Sequence, residues 1–292
     1  MTTLHITNGD CAISLLREAG IQGDFLPWRD ILHMGPVPAN YSLSALSDIR
    51  AAFISSLGWG ELEQIKADFV ERDYKLNQAR EYAQIVFWFE HDLYDQLQIL
   101  QLFDWLADNP KVASKSFLIN PNKHITHHCV SEITSLYDSR KPVETMQLQL
   151  AQKAWQAYRL PNLDSWQQMT NQDTSALPHL REAIIRSLHE LPASTSGCTQ
   201  TETLILTLVA SGINEKTLLF QQYCKCEKAP FHGDSGFYWY LQQMSNDQPA
   251  LIDNLDDKLS LTEMGKLVLL GKQKWQRRYQ AQHWLGGYCI SK

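Results

Sequence analysis

The stretch "QIVFWFEHDLYDQLQILQLFDWL", residues 84–106, decides the fold. After Gln84 its opening is apolar without alternation as far as Phe89, which predicts a strand buried on both faces, as in the interior of a parallel sheet. The run breaks at Glu90-His91-Asp92, then resumes from Leu93 to Leu106 with the apolar density of a buried helix. Asp92 stands where a helix N-cap belongs, and Asp95 and Gln96 follow at the spacing that shares one side of a first helical turn.

Working outward, the same unit recurs. Leu4 to Thr7 reads as a strand, Asn8-Gly9-Asp10 breaks it, and Cys11 to Ala19 is an amphipathic helix closed by Gly20. Asp24 to Trp28 is a second strand leading into Arg29 to Pro38, a loop by its end because Pro36 and Pro38 cannot both sit in a ladder. Two helices fill Ser42 to about Tyr82, and Lys115 to Ile119 supplies a further strand. This alternation predicts an α/β fold, an open, mostly parallel sheet flanked by helices. Helical segments at Thr145 to Tyr158 and Leu177 to Leu191 form a helical middle segment, and Pro192 to Cys198 reads as a linker.

Beyond it, Thr199 and Glu202 have capping-box spacing for a helix ending near Gly212. Asn214 can cap a second helix through Cys224, and Asp234 a third through Met244. Ala250–Asn254 and Lys258–Leu261 form a hairpin around Asp256-Asp257, and Thr262 caps a last helix ending at Gly271. Three helices, a hairpin and a helix make a winged-helix-like reading. The expected domains are 1–140 (α/β, ligand-binding), 141–192 (a helical connector packed on it) and 199–292 (winged-helix-like).

Composition excludes several classes. The chain has 292 residues, 44% of them hydrophobic and 20% charged, which is an ordinary globular balance. A formal charge of -6 argues against a surface that coats nucleic acid. The apolar run from Ile85 to Phe89 is far short of the ~20 residues of a membrane-spanning helix. The opening lacks a basic, then apolar, secretion signal, so a chain starting near Met1 and a cytoplasmic location are expected. Cys11, Cys129, Cys198, Cys224, Cys226 and Cys289 are scattered, without Cys-x-x-Cys units for zinc or a disulfide framework.

In open α/β sheets ligands bind where strand C-terminal ends meet helix starts. Two polar clusters belong there: Asn8-Gly9-Asp10, and Glu90-His91-Asp92 with Asp95 and Gln96. The loop carrying Trp28, Asp30, His33 and Gly35 is a third. Capping explains Asp10 and Asp92 but not Glu90 and His91, which continue a buried strand and need partners. Carboxylates at helix starts disfavour direct phosphate cradling, and no glycine-rich phosphate loop exists. Carboxylates with histidine suit a divalent metal bridging to a small polar ligand, or general acid and base work by His91, Asp92, Asp10 or His33. Asn8, Gly9, Trp28, Asp30, Gly35, Glu90, Asp95 and Gln96 are the expected ligand-binding residues. His124, His127 and His128 match no standard metal spacing and read as solvated or core histidines.

The stretches "LHITNGD", "GDFLPWRDILHMGPVP" and "FWFEHDLYDQLQILQLFDWL" resemble a bacterial family known as the domain-of-unknown-function 1835 proteins. The likeness continues through "DTSALPHL", "APFHGDSGFYWYL", "LSLTEMGKLVLLG" and "HWLGG". It implies a recurring polar block built from Asn8, Gly9, Asp10, Trp28, Asp30, His33, Gly35, Glu90, His91, Asp92 and Gln96, and no particular reaction.

In the C-terminal domain the third helix, Gly233 to Met244, has no Lys or Arg and carries Phe237, Tyr238, Trp239 and Tyr240. It suits packing or a protein partner better than a DNA groove. Lys266, Lys272, Lys274, Arg277 and Arg278 read as a solvated helix end and tail, so nucleic acid is not the preferred partner. Two functions follow as expectations: an enzyme acting on a small polar ligand, or a ligand-responsive regulator whose winged helix contacts nucleic acid or a protein.

Overall fold

Strands β1 (Thr3–Thr7), β2 (Asp24–Pro27), β3 (Gln84–Trp88), β4 (Ser116–Ile119) and β5 (Lys141–Pro142) form one sheet in the order β2-β1-β3-β4-β5. Neighbours are parallel except β4 and β5. This computed structural model describes residues 2–255, 258–278 and 282–290. Around the sheet run α1 (Cys11–Glu18), α2 (Leu43–Ser56), α3 (Leu62–Asn77), α4 (Leu93–Ala107), α5 (Pro110–Ala113), α6 (Val130–Asp138), α7 (Thr145–Arg159) and α8 (Asp164–Gln168).

The apolar run of β3 has no exposed side because both faces are covered. Val86 and Trp88 pack with Ala12 and Leu16 of α1 and Ile133 of α6. Phe87 points the other way and meets Phe103 of α4 edge-on, with ring centroids 5.4 Å apart. Burying each such side chain contributes about 1.5–3 kcal/mol, which fixes β3 as the central strand. Helix α4 is buried almost all round, including its polar Gln96, Gln98 and Gln101. Those amides are not wasted: Gln98 Nε2 donates to the carbonyls of Trp28 (2.7 Å) and Asp30 (2.8 Å), and Gln101 Oε1 accepts from Trp28 Nε1 at 2.8 Å. The α4 glutamines therefore hold the loop after β2.

Because β1 lies between β2 and β3, the chain winds one way from β1 to β2 and the other way to β3. The C-terminal ends of β1 and β3 are therefore the switch point of the winding, the ligand position of doubly wound sheets. Thr7 pairs in register with Trp88, so Asn8 and Glu90 leave the sheet at the same edge.

Two compact units emerge: Met1–Ile184 with Trp284–Cys289, and Ile185–His283 with Ile290–Lys292. The division falls inside α9 (Leu180–Leu188), ahead of the Pro192–Cys198 segment. The hairpin β8 (Trp284–Leu285) and β9 (Tyr288–Cys289) belongs to the first unit, where Gly286 is needed: its φ is +59° and a Cβ there would lie 2.0 Å from the Tyr158 carbonyl oxygen.

The second unit contains α10 (Gln200–Ala210), α11 (Lys216–Cys226), α12 (Asp234–Asn246), strands β6 (Ile252–Leu255) and β7 (Lys258–Leu261), and α13 (Glu263–Leu269). The Thr199/Glu202 capping box and the Thr262 cap form as expected. Glu215 rather than Asn214 precedes α11, and Gly233 rather than Asp234 precedes α12. β6 and β7 pair antiparallel; the Asp256-Asp257 turn lies outside the described residues. Arg277 departs from the solvated tail expected for it, because its side chain is 4% exposed and ion-paired with Glu202. Among the described residues no helix is long and apolar enough to cross a membrane.

Candidate metal centre

Past Trp88 the chain leaves the sheet and is fixed in place by amides. Gln96 Nε2 donates to the Glu90 carbonyl at 2.7 Å, and Asn120 Nδ2 donates to the carbonyls of Phe89 (2.7 Å) and Glu90 (2.9 Å). Asp92 then caps α4, its Oδ1 accepting from the Asp95 amide at 3.2 Å. With the backbone held, the Glu90 side chain reaches the loop after β4: Oε1 accepts from the Ile125 amide at 2.6 Å and Oε2 is hydrogen-bonded to His124 Nδ1. His124 Nδ1 is also 3.6 Å from Asp92 Oδ2. One ligand-type atom each from Glu90, Asp92 and His124 lies within 4.8 Å of the other two.

More imidazole surrounds this trio. The His91 ring centroid is 5.3 Å from that of His124 and 5.9 Å from that of His179, and His127 is 5.3 Å from His124. His179 Nε2 contacts the Asn120 carbonyl at 3.4 Å. His91 Nδ1 is buried without a hydrogen-bond partner among the described residues.

The electrostatics are those of acids crowded out of water. Burial, and then the neighbouring Glu90, push the Asp92 carboxyl up to about 7. Burial and then Asp92 raise Asp95 well above the usual carboxylate range. The hydrogen bond that His124 makes to the Glu90 carboxylate holds it above the ordinary imidazole value, whereas burial, then His124 and His179, lower His91. Among the described residues no lysine or arginine pairs with Glu90, Asp92 or Asp95. A divalent cation reverses this balance, since two carboxylates and a neutral imidazole become ligands that its charge stabilises.

The expected residues divide into those that converge and those that do not. Glu90, His91 and Asp92 converge. Asn8 and Asp95 support them: Asn8 Nδ2 donates to Asp95 Oδ1 at 2.7 Å, and Asp95 Oδ2 accepts from the Glu90 amide at 2.5 Å. Gln96 is a backbone brace, as described. Gly9 forms the turn, its carbonyl accepting from Thr7 Oγ1 at 2.7 Å.

Asp10 does not join the centre. It is exposed and forms a two-pronged salt bridge with Arg29, both contacts 2.7 Å, and its side chain does not even cap α1. Asp30 is also committed elsewhere: it is 2% exposed and accepts from Arg50 Nε at 2.9 Å, while Arg50 also donates to the carbonyls of Met34 and Ile31. Trp28 packs under Arg72 and bonds Gln101. His33 packs its ring 5.4 Å from Tyr94. Gly35 has φ +74°, and a Cβ there would lie 2.3 Å from the Phe53 ring. The third cluster thus builds a folded loop rather than a set of converging ligands.

His124, expected from its spacing to be a solvated or core histidine, is a member of the trio, and His179 and Asn120 stand beside it without a motif of their own in the sequence. Ligand-spacing rules miss His124 because its partners lie more than thirty positions upstream. What brings it in is the pairing of β4 beside β3, which places Asn120 to His124, just past the end of β4, on the edge where Glu90 leaves β3. No family model and no curated protein matches the sequence.

Proposed function

We propose that the first unit binds a divalent cation through Glu90, Asp92 and His124 and uses it as an enzyme acting on a small polar ligand by metal-assisted acid/base chemistry. The observation that carries this reading is the convergence of three metal-type donors, two of them buried carboxylates without a lysine or arginine partner among the described residues. Three protein ligands leave coordination positions for water or a ligand oxygen, the pattern of a catalytic rather than a structural centre. His91, beside His124, is the group assigned to take or return the proton. Two oxygens and one nitrogen suit Mn²⁺, Fe²⁺ or Zn²⁺ better than a thiophilic ion. The switch point at the C-terminal ends of β1 and β3 is where such a ligand is expected.

Membership in the domain-of-unknown-function 1835 family and a cytoplasmic location belong to the same proposal. For the second unit, Phe237, Tyr240, Leu241 and Met244 of α12 are buried, which supports a packing role for that helix over groove reading. Its winged-helix-like order leaves a protein contact as the preferred role, and the chemistry is assigned to the first unit.

Titration of the metal-free chain with Mn²⁺, followed by calorimetry and by the Mn²⁺ electron-spin resonance signal, tests the centre. Wild type is expected to bind one ion; Asp92→Asn and His124→Ala are each expected to lose it, and Asp10→Asn to keep it. Uptake unchanged in both Asp92→Asn and His124→Ala, or no uptake by wild type, sinks the reading.

A further inference from the structure

A cavity of about 400 Å³ lies at the edge of the sheet, lined among others by Asn120, Leu136, Arg140, Lys141, Glu144 and Ala176. That volume is within the range of small-molecule sites, and its mixed apolar and polar walls are typical of them. Its position joins it to the centre above. Asn120 forms part of the wall, while its amide holds the carbonyls of Phe89 and Glu90 and its own carbonyl meets His179.

The charge on the walls selects the ligand. The lining includes two cations, Arg140 and Lys141, and one carboxylate, Glu144, and among the described residues neither cation is in a salt bridge. Arg140 is half-buried and held in place: it stacks 4.2 Å from the Tyr137 ring centroid and donates to the Tyr137 carbonyl at 2.7 Å. Its other terminal nitrogen donates to Gln84 Oε1 at 3.3 Å, so the guanidinium is held by a carbonyl and an amide and by no carboxylate among the described residues. A fixed guanidinium without a carboxylate, in a chain of net charge -6, is a poor contributor to stability and a good receptor for an anion.

From this geometry we infer that the cavity binds a small organic anion, an apolar body of about one ring carrying a carboxylate or phosphate group. The anionic group is matched to Arg140 and Lys141, and the apolar body to Leu136 and Ala176. Recognition in the cavity stands on its own; only the claim that the same ligand presents its reacting end to the metal rests on the function proposed above.

The test titrates the full chain with phenylphosphonate and, separately, with benzoate, by calorimetry, and measures Mn²⁺ uptake in parallel. At least one of the two anions is expected to bind wild type, and the preference between them names the group. Lys141→Glu is expected to weaken that binding about tenfold and Glu144→Gln to tighten it about twofold, with Mn²⁺ uptake unchanged in both. Binding of neither anion at millimolar concentration, or equal affinity in wild type and both variants, overturns the inference. If an anion binds with the expected charge dependence while wild type takes up no Mn²⁺, the cavity stands and the metal reading falls.

Discussion

Both units bury carboxylates, and one cluster in the first unit is held unlike the buried glutamates of the second. In the second unit each buried glutamate has a guanidinium. Arg186 reaches Glu190 and Glu227, both at 2.6 Å, and Arg277 pairs with Glu202, whose side chain is 0% exposed. In the first unit Asp30 follows the same rule with Arg50 and Asp73 with Arg72, but among the described residues Glu90, Asp92 and Asp95 have no lysine or arginine partner, and it is the His124 imidazole that reaches Glu90 and Asp92. A buried acid next to arginine is neutralised by the fold itself. A group of buried acids without one is neutralised by protons or by a cation from outside, and that difference is what supports the centre proposed in the first unit.

The sharpest way to break the comparison is to remove a cation from the second unit. Arg277→Ala leaves Glu202 buried without its partner and is expected to destabilise the protein by about 3–5 kcal/mol, read as a large drop in melting temperature or in the denaturant midpoint. Asp92→Asn, which removes a charge from the unpaired group, is expected to leave the metal-free protein at least as stable as wild type. Equal losses in the two variants would mean that both groups are structural. The next effect is the gain on adding metal: at a hundredfold excess over the dissociation constant, Mn²⁺ is expected to stabilise wild type by about 2.7 kcal/mol and Asp92→Asn not at all. Thermal melts with and without the ion check this.

How far the sequence carried these conclusions depends on the range of the interaction involved. The unbroken apolar character of β3, the Thr199/Glu202 capping box and the Asp92 cap are local, and all were legible because period and cap chemistry act over a few residues. Strand order was not legible, since the placing of β1 between β2 and β3 depends on how two long helices cross the sheet. At the site, Glu90, His91 and Asp92 could be nominated because polar residues ending a buried strand are conspicuous. His124 could not be told from an ordinary loop histidine without knowing that β4 lies beside β3. Asp30 was over-read for the converse reason: its partner Arg50 sits in the middle of α2, where a cation looks like surface decoration but is fully buried.

A smaller effect sharpens the comparison inside the first unit. Asp104 of α4 is half-buried, and burial pushes its carboxyl up to about 6 against the opposing pull of Arg159, with Asp108 adding to the rise. Because the folded value lies above the unfolded one, the ionised form weakens the fold. Stability is highest below about pH 4, falls as pH rises through about 6 and is level above that. Asp104→Asn is expected to gain about 1 kcal/mol at neutral pH, after allowance for solvent screening, and nothing near pH 4. Melting curves at the two pH values decide it; a loss at neutral pH would show that the attraction to Arg159 outweighs burial.

The smallest expected effect is at Asp10, and it is the most direct check on how exposure governs the worth of a charge. Asp10 and Arg29 make two short contacts, and the hydrogen bond from Arg29 holds the Asp10 carboxyl below its usual range. Judged by distance alone this pair rivals Arg277 and Glu202. Its side chains, however, are 58% and 59% exposed, so water solvates both ions when the pair is broken and salt screens them when it is formed. Asp10→Asn is therefore expected to change stability by no more than about 0.5 kcal/mol at neutral pH, and by less in acid, because a depressed carboxylate contributes above its unfolded pKa and loses that contribution as pH falls. Denaturant melts at low and at high salt measure it. A loss approaching that of Arg277→Ala, persisting at high salt, would mean that Asp10 anchors the turn after β1 and bears on the proposed metal centre through Asn8, rather than decorating the surface beside it.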